Sequence, residues 1–114
     1  MILPAFRSFI ASYTPLSDAA WEAIAARTSM RSVQAGEMLL EVGRVCPALY
    51  YAQQGMFRFY QWIDGEDKTQ YFAHDERCFT AQRSFSHQQP SVEGIEALEA
   101  TTLVVIPYEA VQQL

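Results

Sequence analysis

The sequence is poor in cysteine, histidine and positive charge. It has two cysteines and two histidines in 114 residues, and eight lysines and arginines stand against thirteen acidic residues, for a net charge of −5. Iron–sulfur clusters are held by more thiolates than these two cysteines supply. A negatively charged surface does not neutralise nucleic-acid phosphates, so we expect no DNA binding by this chain alone.

Long hydrophobic runs are also missing. No apolar stretch approaches the roughly 18 uninterrupted residues of a membrane span. The opening segment MILPAFRSFIASYTP contains Arg7 and lacks a small-residue cleavage site, unlike a signal peptide. We therefore expect a cytoplasmic protein with no membrane partner, in which the distant Cys46 and Cys78 are reduced thiols.

The composition is that of one folded domain. Half of the residues are hydrophobic, 13% are aromatic and 18% are charged, which is typical of globular proteins. Ser17 before Asp18 predicts a helix over 17–28 with Ser17 as its N-cap. Apolar residues that recur at helical spacing predict a second, short helix over Leu3–Ser12. Both fall in a helical lead-in over 1–28.

The remainder of the sequence has the residue pattern of a mainly β protein. Short runs rich in Val, Tyr, Phe and Thr alternate with glycines, which predicts a β-roll over 29–107. The clearest hairpin runs from 56–63 through Asp64-Gly65 into 68–73, because Asp-Gly tolerates positive φ angles. The apolar run 103–106 predicts a buried strand that ends at Pro107. Residues 108–114 are predicted to be the start of a C-terminal helix.

The hairpin's first strand is apolar on both faces. Phe57, Phe59 and Ile63 share one face, and Arg58 lies on the other with aromatic residues beside it. We expect the core to cover one face and a helix or a partner to cover the other.

Two stretches of the sequence resemble the cyclic-nucleotide-binding domain of Crp/Fnr transcription regulators. AGEMLLEVGRVCPALYYAQQGMFRFY, residues 35–60, has a Gly-Glu corner, an apolar pair and a Leu-Tyr-Tyr strand between further glycines. SFSHQQPSVEGIEALEATTLVVIPYEAVQQL is similar to the family's phosphate-binding cassette and closing strands. The resemblance covers residues 16–114.

The resemblance implies a fold and a role. The fold is a jelly roll, or double-stranded β-helix, with flanking N-terminal helices and a small-molecule pocket inside the roll. The role is that of the sensor domain of a bacterial regulator, a homodimer joined by a long helix after the roll. On this view Tyr60 and Trp62 are candidates to pack on that helix. DNA contact would come from a helix-turn-helix beyond Leu114.

The family's charged ligand anchors are replaced in this sequence. Laying the cassette back from Ile106 puts Thr80-Ala81 at its Gly-Glu pair and Ser91-Val92 at its Arg and small-residue pair. An anion buried without a charge-assisted partner is costly. We therefore expect no bound cofactor and no cyclic AMP held in the family's usual manner. The candidate pocket residues are Thr80, Ala81, Arg83, Ser84, Ser91 and Val92.

Several other residues have two interpretations. Arg83 either reaches an anionic ligand from a different angle or is a solvated loop residue, and the same choice applies to His87. Cys78, next to Arg77, is either a redox-sensing thiol or a small buried hydrophobe. His74-Asp75 indicates a polar turn rather than a metal site.

Three functions remain for comparison. They are an effector-sensing regulatory domain, a ligand-free dimerisation module and a small cupin-like enzyme. No catalytic grouping is identifiable, and Glu93, Glu96 and Glu99 indicate a solvated strand face and turn rather than paired acid and base. We therefore do not expect an enzyme.

Overall fold

The computed structural model describes residues 2–112, which form four helices and eight strands in two four-stranded antiparallel sheets. The helices are α1 (Ile2–Ala11), α2 (Asp18–Ala25), α3 (Gln82–His87) and α4 (Tyr108–Val111). The strands are β1 (Ser29–Val33), β2 (Met38–Leu40), β3 (Ala48–Ala52), β4 (Met56–Ile63), β5 (Glu66–His74), β6 (Arg77–Phe79), β7 (Glu93–Ala97) and β8 (Thr101–Pro107). One sheet has the order β1-β8-β3-β6 and the other β2-β7-β4-β5. The predicted mainly β jelly roll is confirmed.

The two sheets enclose an inner core between them. Its side chains come from both sheets and from α3. Phe57 and Phe59 of β4 are fully buried there, and the Phe79 ring lies 4.6 Å from that of Phe57, centroid to centroid. Because aromatic rings bury large apolar areas, this cluster is a main source of the roll's stability.

A second, outer core lies between the first sheet and the helices. Residues of β3 and β8 alternate between the two cores: Tyr50 and Leu103 point inward, whereas Tyr51 and Val104 join the outer core. Phe6 of α1 is buried there, with its ring 5.3 Å from that of Tyr51. Burial on both faces explains why the β8 run is continuously apolar.

The helix predicted over 17–28 is shorter than expected. Ser17 is its N-cap, as predicted, since its hydroxyl accepts from the backbone N–H of Ala20 at 3.1 Å. The helix ends at Ala25, however, because the next residues form tighter i→i−3 bonds, such as Thr28 N–H to Ala25 O. Of the predicted terminal segments 1–28 and 108–114, residues 1, 113 and 114 lie outside the described residues.

The predicted Asp64-Gly65 hairpin is confirmed. Ile63 pairs with Glu66, which leaves a two-residue loop whose φ angles are 53° at Asp64 and 77° at Gly65. Ile63, predicted on the same face as Phe57 and Phe59, does not join the core, since it is 42% exposed. Strand β4 pairs with β7 only as far as Gln61, so the hairpin tip projects beyond the sheet.

Arg58 clamps three strands together on the outer face of the second sheet. Its guanidinium donates to both carboxylate oxygens of Asp67 on β5, and to Glu96 on β7 at 2.7 Å. Glu96 is therefore held in an ion pair, and its interpretation as part of a solvated face is wrong. Bidentate geometry of this kind fixes orientation as well as contributing energy.

Tyr60 lies beneath this clamp rather than on an open outer face. Its side chain is 7% exposed, and the Arg58 guanidinium sits 4.5 Å from its ring centroid. A Cβ built on Gly94 of β7 would lie 2.4 Å from the Tyr60 ring. Glycine is therefore required for this approach, whereas Trp62, the other candidate to pack on the following helix, is 57% exposed.

Substitution of Gly65 tests the hairpin turn. Gly65→Ala should lower the free energy of unfolding by about 1 kcal/mol, because a β-carbon opposes left-handed backbone. A Cβ at this position would have no neighbour within 4 Å, so crowding does not contribute. Urea unfolding should show a smaller loss for Gly65→Asn, since asparagine tolerates this conformation. Equal losses of unfolding free energy in both variants would contradict the left-handed backbone conformation of Gly65.

Acid titration tests the Arg58 clamp. Hydrogen bonding to Arg58 lowers the pKa of the Asp67 carboxyl below its usual value. A lowered folded-state pKa contributes stability above the unfolded pKa of about 4, and that stability is lost as the pH falls through the folded value. The melting temperature of Arg58→Met should therefore decline less between about pH 5 and pH 2 than that of wild type. Arg44→Met, at an exposed residue, is the control, and parallel curves for Arg58→Met and wild type would refute the clamp.

Candidate functional site

Helix α3 lies where the chain passes from β6 to β7. Ala81, at its N-terminal boundary, is fully buried, and Phe85 turns into the inner core at 7% exposure. The Phe85 ring also contacts Tyr108 of α4, with 5.4 Å between centroids. These contacts place α3 between the interior of the roll and the helix that follows it.

Two polar side chains join α3 to the corner that precedes β3. The buried Ser84 hydroxyl accepts from the backbone N–H of Cys46 at 2.8 Å and donates to the carbonyl of Gln89. Gln88, which ends α3 in left-handed conformation, donates its amide to the carbonyls of Cys46 and Phe85. Because these bonds satisfy buried backbone groups, they fix the position of the helix.

The segment after α3 is held by a second set of hydrogen bonds. The Ser91 N–H donates to the carbonyl of Arg44 at 2.8 Å, and the Gly43 N–H donates to the carbonyl of Ser91 at 2.7 Å. The Ser91 hydroxyl accepts from the Glu93 N–H at 2.9 Å and donates to the Glu93 carbonyl at 2.8 Å. Ser91 is 5% exposed, so its polar atoms are satisfied within the protein.

A pocket of about 430 Å³ opens between α3 and this segment. One side is formed by α3 and the other by the residues that lead into β7. Its lining consists of Arg83, Ser84, His87, Gln89, Pro90, Ser91, Val92 and Glu93. The size is within the range of small-molecule sites in proteins.

The charged side chains of the pocket are distributed between its two sides. Arg83 and His87 lie on α3, and the His87 Nδ1 bonds the Arg83 carbonyl at 3.1 Å. Glu93 lies on the other side of the pocket. Burial, together with the negative charge of Glu93, raises the pKa of the Tyr71 hydroxyl.

Four of the six predicted site residues meet at the pocket: Arg83, Ser84, Ser91 and Val92. Thr80 and Ala81 lie elsewhere, since Ala81 is enclosed in the inner core and the Thr80 hydroxyl donates to the Ala48 carbonyl at 2.8 Å. Gln89, Pro90 and Glu93 were missed. One indication in the sequence that these residues line the pocket is that they directly flank Ser91-Val92.

Cys46 and Cys78 are free thiols. Cys46 is fully buried, and its sulfur lies 3.4 Å from the carbonyl oxygen of Ala48. Burial raises the pKa of Cys78 to about 12. Since the thiolate is the reactive form, this favours the interpretation of Cys78 as a small hydrophobe over that of a redox sensor.

The two histidines lie on different elements. His74 ends β5 and His87 ends α3. Asp75, next to His74, lies in the bend between β5 and β6, and its carboxylate accepts a hydrogen bond from the backbone N–H of Gly55 at 2.8 Å. Within residues 2–112 no three His, Cys, Asp or Glu side chains are grouped to hold a metal. Nor does that part of the chain contain a helix long and apolar enough to cross a membrane.

Comparisons with known proteins identify the family. The family described as "Cyclic nucleotide-binding domain" matches residues 30–114. This chain therefore belongs to the cyclic nucleotide-binding domain family, as the resemblance predicted. No curated protein sequence matches it significantly.

Solved structures with the same fold include the sensor domain of a transcriptional regulator and a regulatory domain of PKA. The sensor domain of the transcriptional regulator DNR from Pseudomonas aeruginosa is 17% identical, with a TM-score of 0.83 over 98% of this chain and 77% of that one. The regulatory domain of Toxoplasma gondii PKA with cAMP is 14% identical, with a TM-score of 0.85 and coverage of 98% and 44%. The Thermus thermophilus Catabolite Activator Protein is 18% identical, with a TM-score of 0.74 and coverage of 89% and 47%. The chain thus spans less than half the length of the last two proteins.

Two serines of the same short helix test what holds α3 in place. Ser84→Ala should lower the free energy of unfolding by about 1–3 kcal/mol, because it leaves the buried Cys46 N–H without a partner. Ser86→Ala, the same change at an exposed position, should have little effect. Chemical denaturation of both variants measures the difference. Similar losses would show that the Ser84 hydroxyl does not anchor the helix.

Proposed function

We propose that this chain is the sensor domain of a Crp/Fnr-type bacterial transcription regulator, and that a small-molecule effector binds in the pocket beside α3. The observation that carries the proposal is the pocket of about 430 Å³ between α3 and β7. It lies where the resemblance puts the family's ligand cassette. On this proposal the protein senses rather than catalyses, works in the cytoplasm as a homodimer, and reaches DNA only through a further domain.

The pocket supports an effector held differently from a cyclic nucleotide in the family's usual manner. Ser91 occupies the place of the arginine that would hold the cyclic phosphate, and its hydroxyl is engaged with the Glu93 backbone. Arg83 is the arginine that lines the pocket, and it comes from α3 instead. An anionic group would therefore be bound on the α3 side.

The contact between α3 and α4 supports a route for signalling. Phe85 belongs to the pocket helix and Tyr108 to the helix that follows the roll, and their rings touch. An effector that favours one position of α3 would therefore favour one position of the following helix. This change in helix position requires an effector whose affinity differs between the two positions of α3.

A second candidate function is a ligand-free dimerisation module. The observation that favours it is the internal satisfaction of the pocket's buried hydroxyls: Ser84 bonds Cys46 and Gln89, and Ser91 bonds Glu93. Within residues 2–112 no buried side-chain nitrogen or oxygen atom lacks a partner. A site that has lost its ligand would be expected to satisfy itself in this way.

Thermal unfolding with candidate effectors separates these functions. Cyclic AMP, cyclic GMP and a panel of small metabolites are each tested with wild type, Arg83→Gln and the exposed control Arg44→Gln. An effector at about 100 times its Kd should stabilise the protein by about 2.7 kcal/mol, which is several degrees in melting temperature. We expect a shift with at least one compound, reduced in Arg83→Gln and retained in Arg44→Gln.

The effector-sensing proposal fails if no compound shifts the melting temperature. The dimerisation module is then favoured. Sedimentation of the same protein samples then measures whether a dimer forms without ligand.

A further inference from the structure

We propose that the pocket selects a ligand with two unlike ends, an anionic group facing α3 and a cationic or hydrogen-bond-donating group facing Glu93. This inference rests on the proposed function, since it names the chemical class of the effector that the same pocket would take.

The α3 side is suited to an anion. Arg83 is exposed on the pocket, and no carboxylate within residues 2–112 lies within 4 Å of its guanidinium. A guanidinium without an internal partner offers a planar set of donors that matches a carboxylate or phosphate. His87, one turn later, donates its Nδ1–H to the Arg83 carbonyl, which leaves Nε2 as the ring nitrogen available to a ligand.

The Glu93 side is suited to a donor. Glu93 is half-buried, and within the described part of the chain no lysine, arginine or histidine pairs with it. Its backbone is fixed on both sides of the residue by the Ser91 hydroxyl. Its carboxylate lies close enough to Tyr71 of β5 to help raise the pKa of that hydroxyl, and its two oxygens offer acceptor capacity to a ligand.

The remaining residues of the pocket offer no charged group that could bind a ligand carrying only one kind of charge. The Ser84 and Ser91 hydroxyls are bonded to protein groups, and Pro90 and Val92 contribute apolar surface. A purely anionic ligand would meet Glu93, and a purely cationic one would meet Arg83. Unfavourable like-charge contacts of this kind exclude wrong ligands, and attractive contacts select the right one.

Three molecules of similar size test the inference: phenylalanine, phenylpropionate, which lacks the ammonium group, and phenethylamine, which lacks the carboxylate. Their phenyl group can lie on the apolar surface of Pro90 and Val92. Isothermal titration calorimetry on the 114-residue chain should show phenylalanine binding at least about tenfold more tightly than either of the others, a difference of about 1.4 kcal/mol.

Variants of the two charged sides sharpen the test. Glu93→Gln should raise the affinity for phenylpropionate relative to phenylalanine, because the repelling carboxylate is gone. Arg83→Gln should remove the advantage of phenylalanine over phenethylamine. Glu99→Gln and Arg44→Gln, which are exposed and outside the pocket lining, are the matched controls and should leave all three affinities unchanged.

Two results would overturn the inference: equal binding of phenylalanine and phenylpropionate to wild type, or no binding of any of the three molecules. Its failure is distinguishable from failure of the proposed function. If a cyclic nucleotide or another panel compound stabilises the domain while phenylalanine does not bind, the sensor function is supported and only the two-ended ligand class is refuted.

Discussion

Burial of both faces of β3 and β8 is the constraint on which the rest of this fold depends. Alternate residues of these neighbouring strands enter the inner core between the sheets and the outer core beneath the helices. The first sheet therefore has no solvated face at its centre, and α1, α2 and α4 are needed to cover it. With that sheet fixed from both sides, β6 and the start of α3 are placed, and with them the pocket.

Local chemistry made much of this fold predictable. The Asp64-Gly65 turn, the Ser17 cap and the apolar strand 103–106 each depend on neighbours in sequence, and each was predicted correctly. Tyr60 lies on the face opposite Phe57 and Phe59, as predicted, but its burial was not predictable because it depends on Gly94, which is distant in sequence and leaves room for the ring. Glu96 was misread as solvated for the same reason, since its partner is Arg58 on another strand.

The pocket shows the same division between local and distant information. The family cassette led to Arg83, Ser84, Ser91 and Val92, all of which line it. The alignment could not show that Ala81 turns into the inner core, because that depends on how α3 packs against residues far away in sequence. Nor could it reveal Glu93 as a pocket acceptor, because the proximity of Glu93 to α3 exists only in the folded protein.

The two thiols are divided between the two cores. Cys46 is enclosed in the inner core and Cys78 packs against the outer one. Since a buried thiol reacts only after its surroundings open, the rate at which an alkylating reagent modifies each cysteine measures a different event. Labelling of Cys46, which is fully buried, follows opening of the roll, whereas Cys78 is only partly buried and can be reached in the folded protein. The native sequence thus carries a reporter for the opening of the roll in Cys46, and Cys78 serves as the reference thiol on the same chain.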